Sequence, residues 1–356
     1  MVANKLVPIL VVSLLALGQA RADAPHCDIV NVPVTVPGAP GAFIHGELCT
    51  PPGPAPASVQ LLVHTTWHNL RSWDPPQQDY SYVRQAVAAG YATFNIDRLG
   101  SGKSSKPPSN LVTITSVEDA LHQVIVALRA GNVGGHAFSH VVWVGSSFGS
   151  AYGWVNGTRH PGDIDAYVLT GIAHKTKTSF VDIVVPDVVS ACDDVDFQHL
   201  GLDCGYITNA RGTKGELYYD MPFAAPGFVP HGVEDAQLRD VVSATLLTES
   251  VVQLGGIPGW PVSPEFVTMP VETDFARGIH VPTLIVLGDH DNIFCGLPDG
   301  IECTVAGVKA YESPYYGVEP DVYIAPNTGH VTNLHLDGPQ TIATMVAWVE
   351  SKVGPN

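Results

Sequence analysis

A serine between two glycines is the feature of this sequence that most directly suggests chemistry. An apolar strand candidate over 140–144 leads directly into Gly145-Ser146-Ser147-Phe148-Gly149, a G-x-S-x-G motif. Between a strand and a helix, such a turn holds its serine in a strained conformation with the hydroxyl projecting above the sheet. We therefore predict that Ser147 is a nucleophile and that the Phe148 N–H faces the developing oxyanion. The alternative is a turn of small residues without chemistry.

A serine nucleophile needs a base, and the base needs a group that orients it. For a serine on a strand–helix turn the expected chain order is serine, acid, histidine. Asp291 follows a strand candidate over 283–287 and is the predicted acid, with Asp289 as the alternative. His330 follows a short strand candidate over 322–324 and is the predicted base, with His335 as the alternative.

The elements that must position these residues alternate between short apolar strands and helix-like stretches. The chain opens with a predicted hairpin over 29–36 and 42–49, and strands and helices then follow one another. Further strands are predicted at 59–63, 91–96 and 166–169, and helices at 82–89, 117–130, 150–155 and 340–353. Because the strands are apolar along their whole length, we expect a mostly parallel central sheet covered by helices on both faces.

The alternation breaks between 175 and 277, where glycine, proline and aromatic residues are frequent. Only 235–254 has a clear helical pattern in this region. We predict a strand–helix core of 23–174 and 278–356, interrupted by a cap over 175–277. An independent second domain is the alternative.

Two further motifs carry a family resemblance. Asp97-Arg98-Leu99-Gly100-Ser101-Gly102-Lys103-Ser104 follows the second parallel strand, and His64-Thr65-Thr66-Trp67 follows the first. With Ser147, Asp291 and His330 in that order, the chain resembles the α/β-hydrolase superfamily, and most closely its esterase and lipase-like members.

The resemblance covers nearly all of the chain from residue 23 onward, apart from the cap, and implies the α/β-hydrolase fold. It also implies that Thr66, or its neighbour Thr65, supplies the second oxyanion N–H, and that the 97–104 turn is structural. Two positions depart from the family pattern. Thr65 stands where glycine is usual, and Ser146 where histidine is frequent.

Composition limits the function classes. Hydrophobic residues make up 45% and charged residues 14% of the 356-residue chain, which is typical of a compact globular protein. The formal net charge of -17 disfavours nucleic acid and anionic membranes as partners. The sequence has no nucleotide-binding fingerprint and implies neither a metal nor an organic cofactor.

Residues 1–22 resemble an export signal. Lys5 precedes an apolar run over 6–17, and Ala20-Arg21-Ala22 offers a small-x-small cleavage site. A membrane anchor is the alternative, but the run is shorter than the roughly 18–20 residues that span a bilayer. We expect a secreted protein with no membrane anchor after cleavage.

The six cysteines agree with export into an oxidising compartment. The simplest pairing joins near neighbours in sequence: Cys27–Cys49, Cys192–Cys204 and Cys295–Cys303. Six cysteines allow about 15 connectivities, and the spacing that a zinc site would need is absent. Asn156-Gly157-Thr158 is a sequon, which predicts a glycan at Asn156 if the source organism glycosylates its proteins.

These features together favour acyl transfer on a small-molecule ester. Apolar stretches at 181–189, 223–229 and 257–262 favour a moderately hydrophobic substrate, although they fit packing between cap and body equally well. An amidase or peptidase is the first alternative, with Asp193, Asp194 and Asp196 as candidate amine ligands or as a solvated acidic loop. A non-catalytic binding protein or a biosynthetic role on the same scaffold is the second.

Overall fold

A central sheet and a smaller one organise the residues that the computed structural model describes, 25–177, 188–210, 238–253 and 275–356. The strands are β1 (His26–Pro33), β2 (Phe43–Thr50), β3 (Ser58–Val63), β4 (Ala92–Ile96), β5 (His140–Ser146), β6 (Ala166–Thr170), β7 (Val188–Ser190), β8 (Tyr206–Asn209), β9 (Val242–Ser243), β10 (Thr283–Gly288) and β11 (Asp321–Ala325). The central sheet has the order β1-β2-β4-β3-β5-β6-β10-β11. Its first three strands pair antiparallel, and every other pair is parallel.

Helices cover both faces of this sheet. They are α1 (Tyr82–Ala88), α2 (Ile114–Arg129), α3 (Phe148–Arg159), α4 (Ala244–Gln253), α5 (Val305–Glu312) and α6 (Gly338–Lys352). Successive strand residues point to opposite faces, so Leu61 and Val63 pack with α2 and α3 while Leu62 packs with α1 and α6. The predicted α/β-hydrolase fold is confirmed.

Local sequence explains where the helices begin. The predicted helix over 117–130 is α2, which starts three residues earlier because Thr113 and Ser116 form a reciprocal capping box before the apolar run. The predicted helix over 235–254 is wrong at its start within the described residues. Residues 239–241 are irregular, β9 follows them, and α4 begins at Ala244.

The segment between β6 and β10 contacts the loop that follows β4. Its strands β7, β8 and β9 form an antiparallel three-stranded sheet. The Tyr206 hydroxyl donates to the Pro107 carbonyl oxygen at 2.7 Å, and the Ile114 N–H donates to Glu249 Oε2 at 2.9 Å. The described part of the insertion is therefore held against residues 107–114. The predicted apolar stretches 223–229 and 257–262, and most of 181–189, lie outside the described residues.

Three disulfides join the cysteine pairs that the sequence predicts. Cys27–Cys49 links β1 to β2, Cys192–Cys204 lies between β7 and β8, and Cys295–Cys303 closes the loop after β10. The predicted export signal, residues 1–22, lies outside the described residues. Among the helices that are described, none combines the length and the apolar character needed to cross a membrane.

Candidate active site

Ser147 occupies a sharp turn between β5 and α3. Its backbone angles are φ 51° and ψ -116°, a region that non-glycine residues rarely adopt. Backbone hydrogen bonds hold this strained conformation. The Ser147 N–H donates to the Thr170 carbonyl oxygen at 2.8 Å, and the Ser147 carbonyl oxygen accepts the N–H groups of Ser150 and Ala151. The side chain lies at the carboxyl end of a parallel strand, where this class of sheet places its ligand sites.

The two glycines of the motif are required by close backbone approach. A Cβ on Gly145 would lie 2.6 Å from the Gly149 carbonyl oxygen. A Cβ on Gly149 would collide with the Val63 carbonyl oxygen and lie 2.8 Å from that of His64. The start of α3 thus packs directly on the end of β3, which brings the Ser147 turn beside the His64 loop.

Asp291 and His330 meet in the loops after β10 and β11. Asp291 Oδ2 lies 2.9 Å from His330 Nδ1, and neither side chain is exposed. The other oxygen, Oδ1, accepts the N–H groups of Ile293 at 2.8 Å and Phe294 at 3.3 Å. Because the carboxylate accepts at Nδ1, the neutral ring carries its proton there, and Nε2 is left as the basic nitrogen.

The Ser147 turn and His330 both contact the end of β6. Thr170 accepts the Ser147 N–H, and the next residue, Gly171, has φ +56°. A Cβ on Gly171 would lie 2.8 Å from the His330 carbonyl oxygen and 3.2 Å from its Cε1 atom. Residues 170–171 therefore contact both the backbone of the predicted nucleophile and the predicted base.

The alternative acid and base make other hydrogen bonds. Asp289 Oδ1 accepts the Thr328 N–H at 3.1 Å, and its side chain is 36% exposed. His335 Nδ1 lies 2.9 Å from the Val331 carbonyl oxygen. Asp289 instead fixes the turn that carries His330, since its carboxylate accepts a backbone N–H two residues before the histidine.

The predicted oxyanion donors lie at two element ends. Phe148 is the first residue of α3, and the first N–H groups of a helix have no partner within the helix. Thr65 and Thr66 are buried directly after β3, and among the described residues neither hydroxyl has a hydrogen-bond partner. The loop continues through Trp67, whose φ is 57° and whose carbonyl oxygen accepts the Asp240 N–H at 2.7 Å.

The 97–104 turn supports this loop. Asp97 Oδ1 accepts the Leu70 N–H at 2.9 Å and its Oδ2 accepts the Lys103 N–H at 2.8 Å. Burial raises the pKa of the Asp97 carboxyl, and these two N–H groups oppose that effect. The carboxylate thus ties the turn to the segment after β3.

Sequence reasoning missed His68, which is buried near His330. Burial is the main cause that lowers the pKa of His68 to about 3, and the nearby His330 and Arg98 add to the effect. His68 is therefore neutral at physiological pH and contributes no charge beside the predicted base. The only sequence signal was its place in the His64 loop, four residues past His64.

The acidic residues of the insertion do not favour an amine site. Arg239 is buried, lies 2.7 Å from Asp196 Oδ2 and forms an ion pair with Asp194. Its guanidinium also lies over the Phe197 ring. Asp193 is exposed. Both carboxylates are thus paired with one arginine 43 to 45 residues away, which local spacing does not reveal.

The predicted glycan at Asn156 is wrong for the folded chain. Asn156 lies on α3 with no exposed surface. Its side-chain oxygen accepts the Tyr167 hydroxyl at 3.0 Å, and its Nδ2 lies 3.1 Å from Asp163 and 3.3 Å from Glu118. A glycan requires that same amide nitrogen on the surface. In the folded chain the Asn156 amide instead forms buried hydrogen bonds between α3 and its neighbours.

Two overlapping groups of side chains among the described residues offer metal-ligand atoms. One is Glu118, Asp119 and His160, in which both carboxylates already pair with Arg159. The other has poor geometry for an ion. His122, His160 and Asp163 have ligand atoms within 4.8 Å of one another. The two imidazole rings, however, are stacked with centroids 3.7 Å apart and planes 8° apart. A metal ion lies in the plane of each ring that binds it, so one ion does not suit both rings in this arrangement.

Comparison with known proteins agrees with the fold. The model of the alpha/beta hydrolase family matches residues 60–344. Naproxen esterase (carboxylesterase NP) from Bacillus subtilis is similar in structure, with a TM-score of 0.56 and 16% identity, covering 91% of this chain and 92% of that one. The esterase domain of a Rhodothermus marinus protein has a TM-score of 0.54 and 14% identity, covering 92% and 100%. At these identities the structural likeness shows the fold alone. No curated protein sequence matches the chain.

Proposed function

The chain belongs to the α/β-hydrolase family, and from that premise we propose that it is a secreted serine hydrolase that cleaves carboxylic esters. The observation that carries the proposal is the buried hydrogen bond of 2.9 Å between Asp291 and His330, at the same sheet edge as the strained Ser147 turn. A buried carboxylate–imidazole pair beside an activated serine is the arrangement that acyl transfer requires.

In this mechanism His330 removes the Ser147 proton through Nε2 as the hydroxyl attacks the ester carbonyl. Asp291 holds the ring in the tautomer with the proton on Nδ1 and stabilises the imidazolium that forms. The N–H groups of Phe148 and of Thr66, or its neighbour Thr65, stabilise the oxyanion. His330 then protonates the leaving alcohol, and a water molecule, activated by the same base, releases the acid.

We also propose that residues 175–277 form the cap and that the ester has a moderately hydrophobic acyl or alcohol group. The apolar composition of the predicted cap stretches supports this substrate class. Esterase activity is preferred over peptidase activity because Asp194 and Asp196 already bind Arg239, which competes with a substrate amine for their oxygens. Two of the similar solved structures are also named as carboxylesterases.

A substrate panel tests the catalytic proposal. The purified protein is expected to hydrolyse p-nitrophenyl esters of short or medium chain length and to be labelled at Ser147 by a fluorophosphonate probe. Ser147→Ala is expected to lower the rate by about 10⁴-fold or more, whereas Ser146→Ala, one residue earlier, keeps most of it. Activity on p-nitroanilides without ester activity would favour the amidase. Failure of both the panel and the probe would favour the binding protein.

Export has its own test. The proposed signal predicts that protein recovered from the medium of a eukaryotic or bacterial secretion host begins at Asp23. The three disulfides support an oxidising destination. An intracellular product that retains residues 1–22 would contradict this part of the proposal.

A further inference from the structure

Arg98 is a fully buried cation in the turn after β4, and its contacts converge on the loop after β3. Its Nη2 atom donates to the Thr65 carbonyl oxygen at 3.1 Å, and its backbone N–H donates to His64 Nε2 at 3.1 Å. The other arm of the guanidinium reaches the Tyr152 hydroxyl at 3.4 Å, and its carbon lies 5.3 Å from the centre of that ring. Tyr152 belongs to α3, so Arg98 connects the helix of Ser147 to the His64 loop.

The Thr65 carbonyl oxygen receives a second hydrogen bond from His64. Because the Arg98 backbone N–H can only donate, His64 Nε2 must accept, and the proton of the neutral ring is on Nδ1. That nitrogen lies 2.8 Å from the Thr65 carbonyl oxygen and donates to it. Burial and the nearby Arg98 charge lower the pKa of His64 well below its usual value, so the ring stays neutral and the tautomer is fixed.

Fixing the Thr65 carbonyl also fixes the Thr66 N–H. The two groups belong to one planar trans peptide, in which C=O and N–H point in opposite directions. Two donors, Arg98 Nη2 and His64 Nδ1, hold the oxygen on one side, and the N–H must therefore point to the other. In a chain with Thr65 at the usual glycine position, these donors set the orientation of the peptide.

We propose that Arg98 is a positioning residue for the oxyanion hole, which it completes by locking the 65–66 peptide with the Thr66 N–H turned toward the developing oxyanion at Ser147. The inference rests on the proposed serine mechanism and assigns the second oxyanion donor to Thr66 rather than Thr65. Arg98 acts through the peptide and does not touch the substrate.

Arg98→Met tests the proposal, because it keeps the unbranched apolar part of the side chain and removes the guanidinium donors. We expect kcat for a p-nitrophenyl ester to fall about 10- to 100-fold with KM changed by less than about twofold, since an oxyanion donor acts in the transition state. The inhibition constant of a trifluoromethyl ketone, which forms a tetrahedral adduct, is expected to rise in parallel. Arg98→Lys keeps the charge but donates from a single nitrogen. Its kcat is expected to lie between those of wild type and Arg98→Met. Lys103→Met, an exposed cation on the same turn, is the control and keeps wild-type values.

A second measurement covers the case in which Arg98→Met does not fold. Arg98→Ala leaves a cavity, and millimolar methylguanidinium is expected to restore kcat without changing KM. A purely structural role would instead lower the melting temperature and leave kcat of the folded fraction unchanged. A kcat within twofold of wild type in folded Arg98→Met, or a loss confined to KM, overturns the inference while the serine mechanism stands. A wild-type protein that hydrolyses neither esters nor anilides and is not labelled by the fluorophosphonate probe overturns both.

Discussion

Gly171 lies so close to His330 that a Cβ on residue 171 would stand 2.8 Å from the His330 carbonyl oxygen. Its φ of +56° is also one that side chains rarely adopt. The position joins the strand end that holds the Ser147 N–H to the ring of the proposed base. Space and backbone conformation therefore both require glycine at this point of the site.

Gly171→Ala is expected to displace His330 and to lower kcat by about 100-fold, since small misplacements of a catalytic group are costly. Gly201→Ala is the matched control, because Gly201 has φ +63° and open space around its missing Cβ. Each substitution is expected to cost about 1–2 kcal/mol of unfolding free energy from backbone strain. Steady-state kinetics with urea denaturation of both variants separates the two effects. Equal kcat in the two variants would refute the assigned contact.

Asp291→Asn is expected to lower kcat by about 10³- to 10⁴-fold, because the amide no longer favours the productive tautomer of His330. The new NH₂ group would also face either the ring N–H or the backbone N–H groups of Ile293 and Phe294. Asp289→Asn is the control, since that carboxylate contacts the Thr328 N–H instead. The measurement is kcat of both variants and of wild type, at a pH high enough for histidine to be neutral. A larger loss in Asp289→Asn would make Asp289 the acid.

Removal of two of the disulfides is expected to affect stability and activity in opposite order. Cys295–Cys303 closes a separation of 8 residues and braces the loop of Asp291, whereas Cys27–Cys49 closes 22 residues and joins β1 to β2. Loop entropy gives about 2–3 kcal/mol for the first and about 3–4 kcal/mol for the second. We expect the double serine variant of 295 and 303 to lose about tenfold in kcat. The double serine variant of 27 and 49 loses more stability and keeps its kcat. Thermal denaturation and kinetics on both variants check this, and a reversed ranking of kcat contradicts it.

Glu118 predicts a pH dependence of stability. Burial raises the pKa of Glu118 to about 7, against the opposing attraction of Arg159. The folded chain therefore keeps a proton that the unfolded chain releases above its ordinary pKa of 4.5. The free energy of unfolding falls as pH rises from about 4.5 to about 7, by about 3 kcal/mol at most.

Glu118→Gln does not titrate, so its stability relative to wild type is expected to rise across that pH window and to stay constant above it. Because the folded Glu118 carboxyl is mostly neutral below about pH 7, the substitution removes little attraction to Arg159 within that window. Asp119→Asn is the control, because that exposed carboxylate pairs with the same arginine. Urea denaturation at pH 5, 6, 7 and 8 measures the difference. A constant offset between Glu118→Gln and wild type would show that Glu118 ionises normally.

Those parts of the fold and site that depend on local sequence were predictable. The strand ends, the glycines beside Ser147 and the loops of Asp291 and His330 are each encoded within a few neighbouring residues. Contacts between distant segments were not predictable. Arg98 reaches Thr65 because β3 and β4 are neighbours in the sheet, although the residues are 33 apart in sequence.

The errors have the same origin. The sequon at Asn156 shows only which residue types are adjacent, and the burial of its amide depends on Glu118, which is on another helix. The helical pattern over 235–254 contains no sign that the Asp240 N–H donates to the Trp67 carbonyl oxygen, which prevents a helix from continuing through this residue. In each case a long-range hydrogen bond decided the local structure.

That hydrogen bond between Asp240 and Trp67 also limits how freely the inserted segment can be exchanged. Asp240 Oδ2 accepts the Gly102 N–H at 2.9 Å, so one residue links the insertion to both the 64–67 loop and the 97–104 turn. A chimera that receives this segment from a relative must receive those two loops with it. Otherwise the graft would alter the rate of the chemical step as well as the choice of substrate.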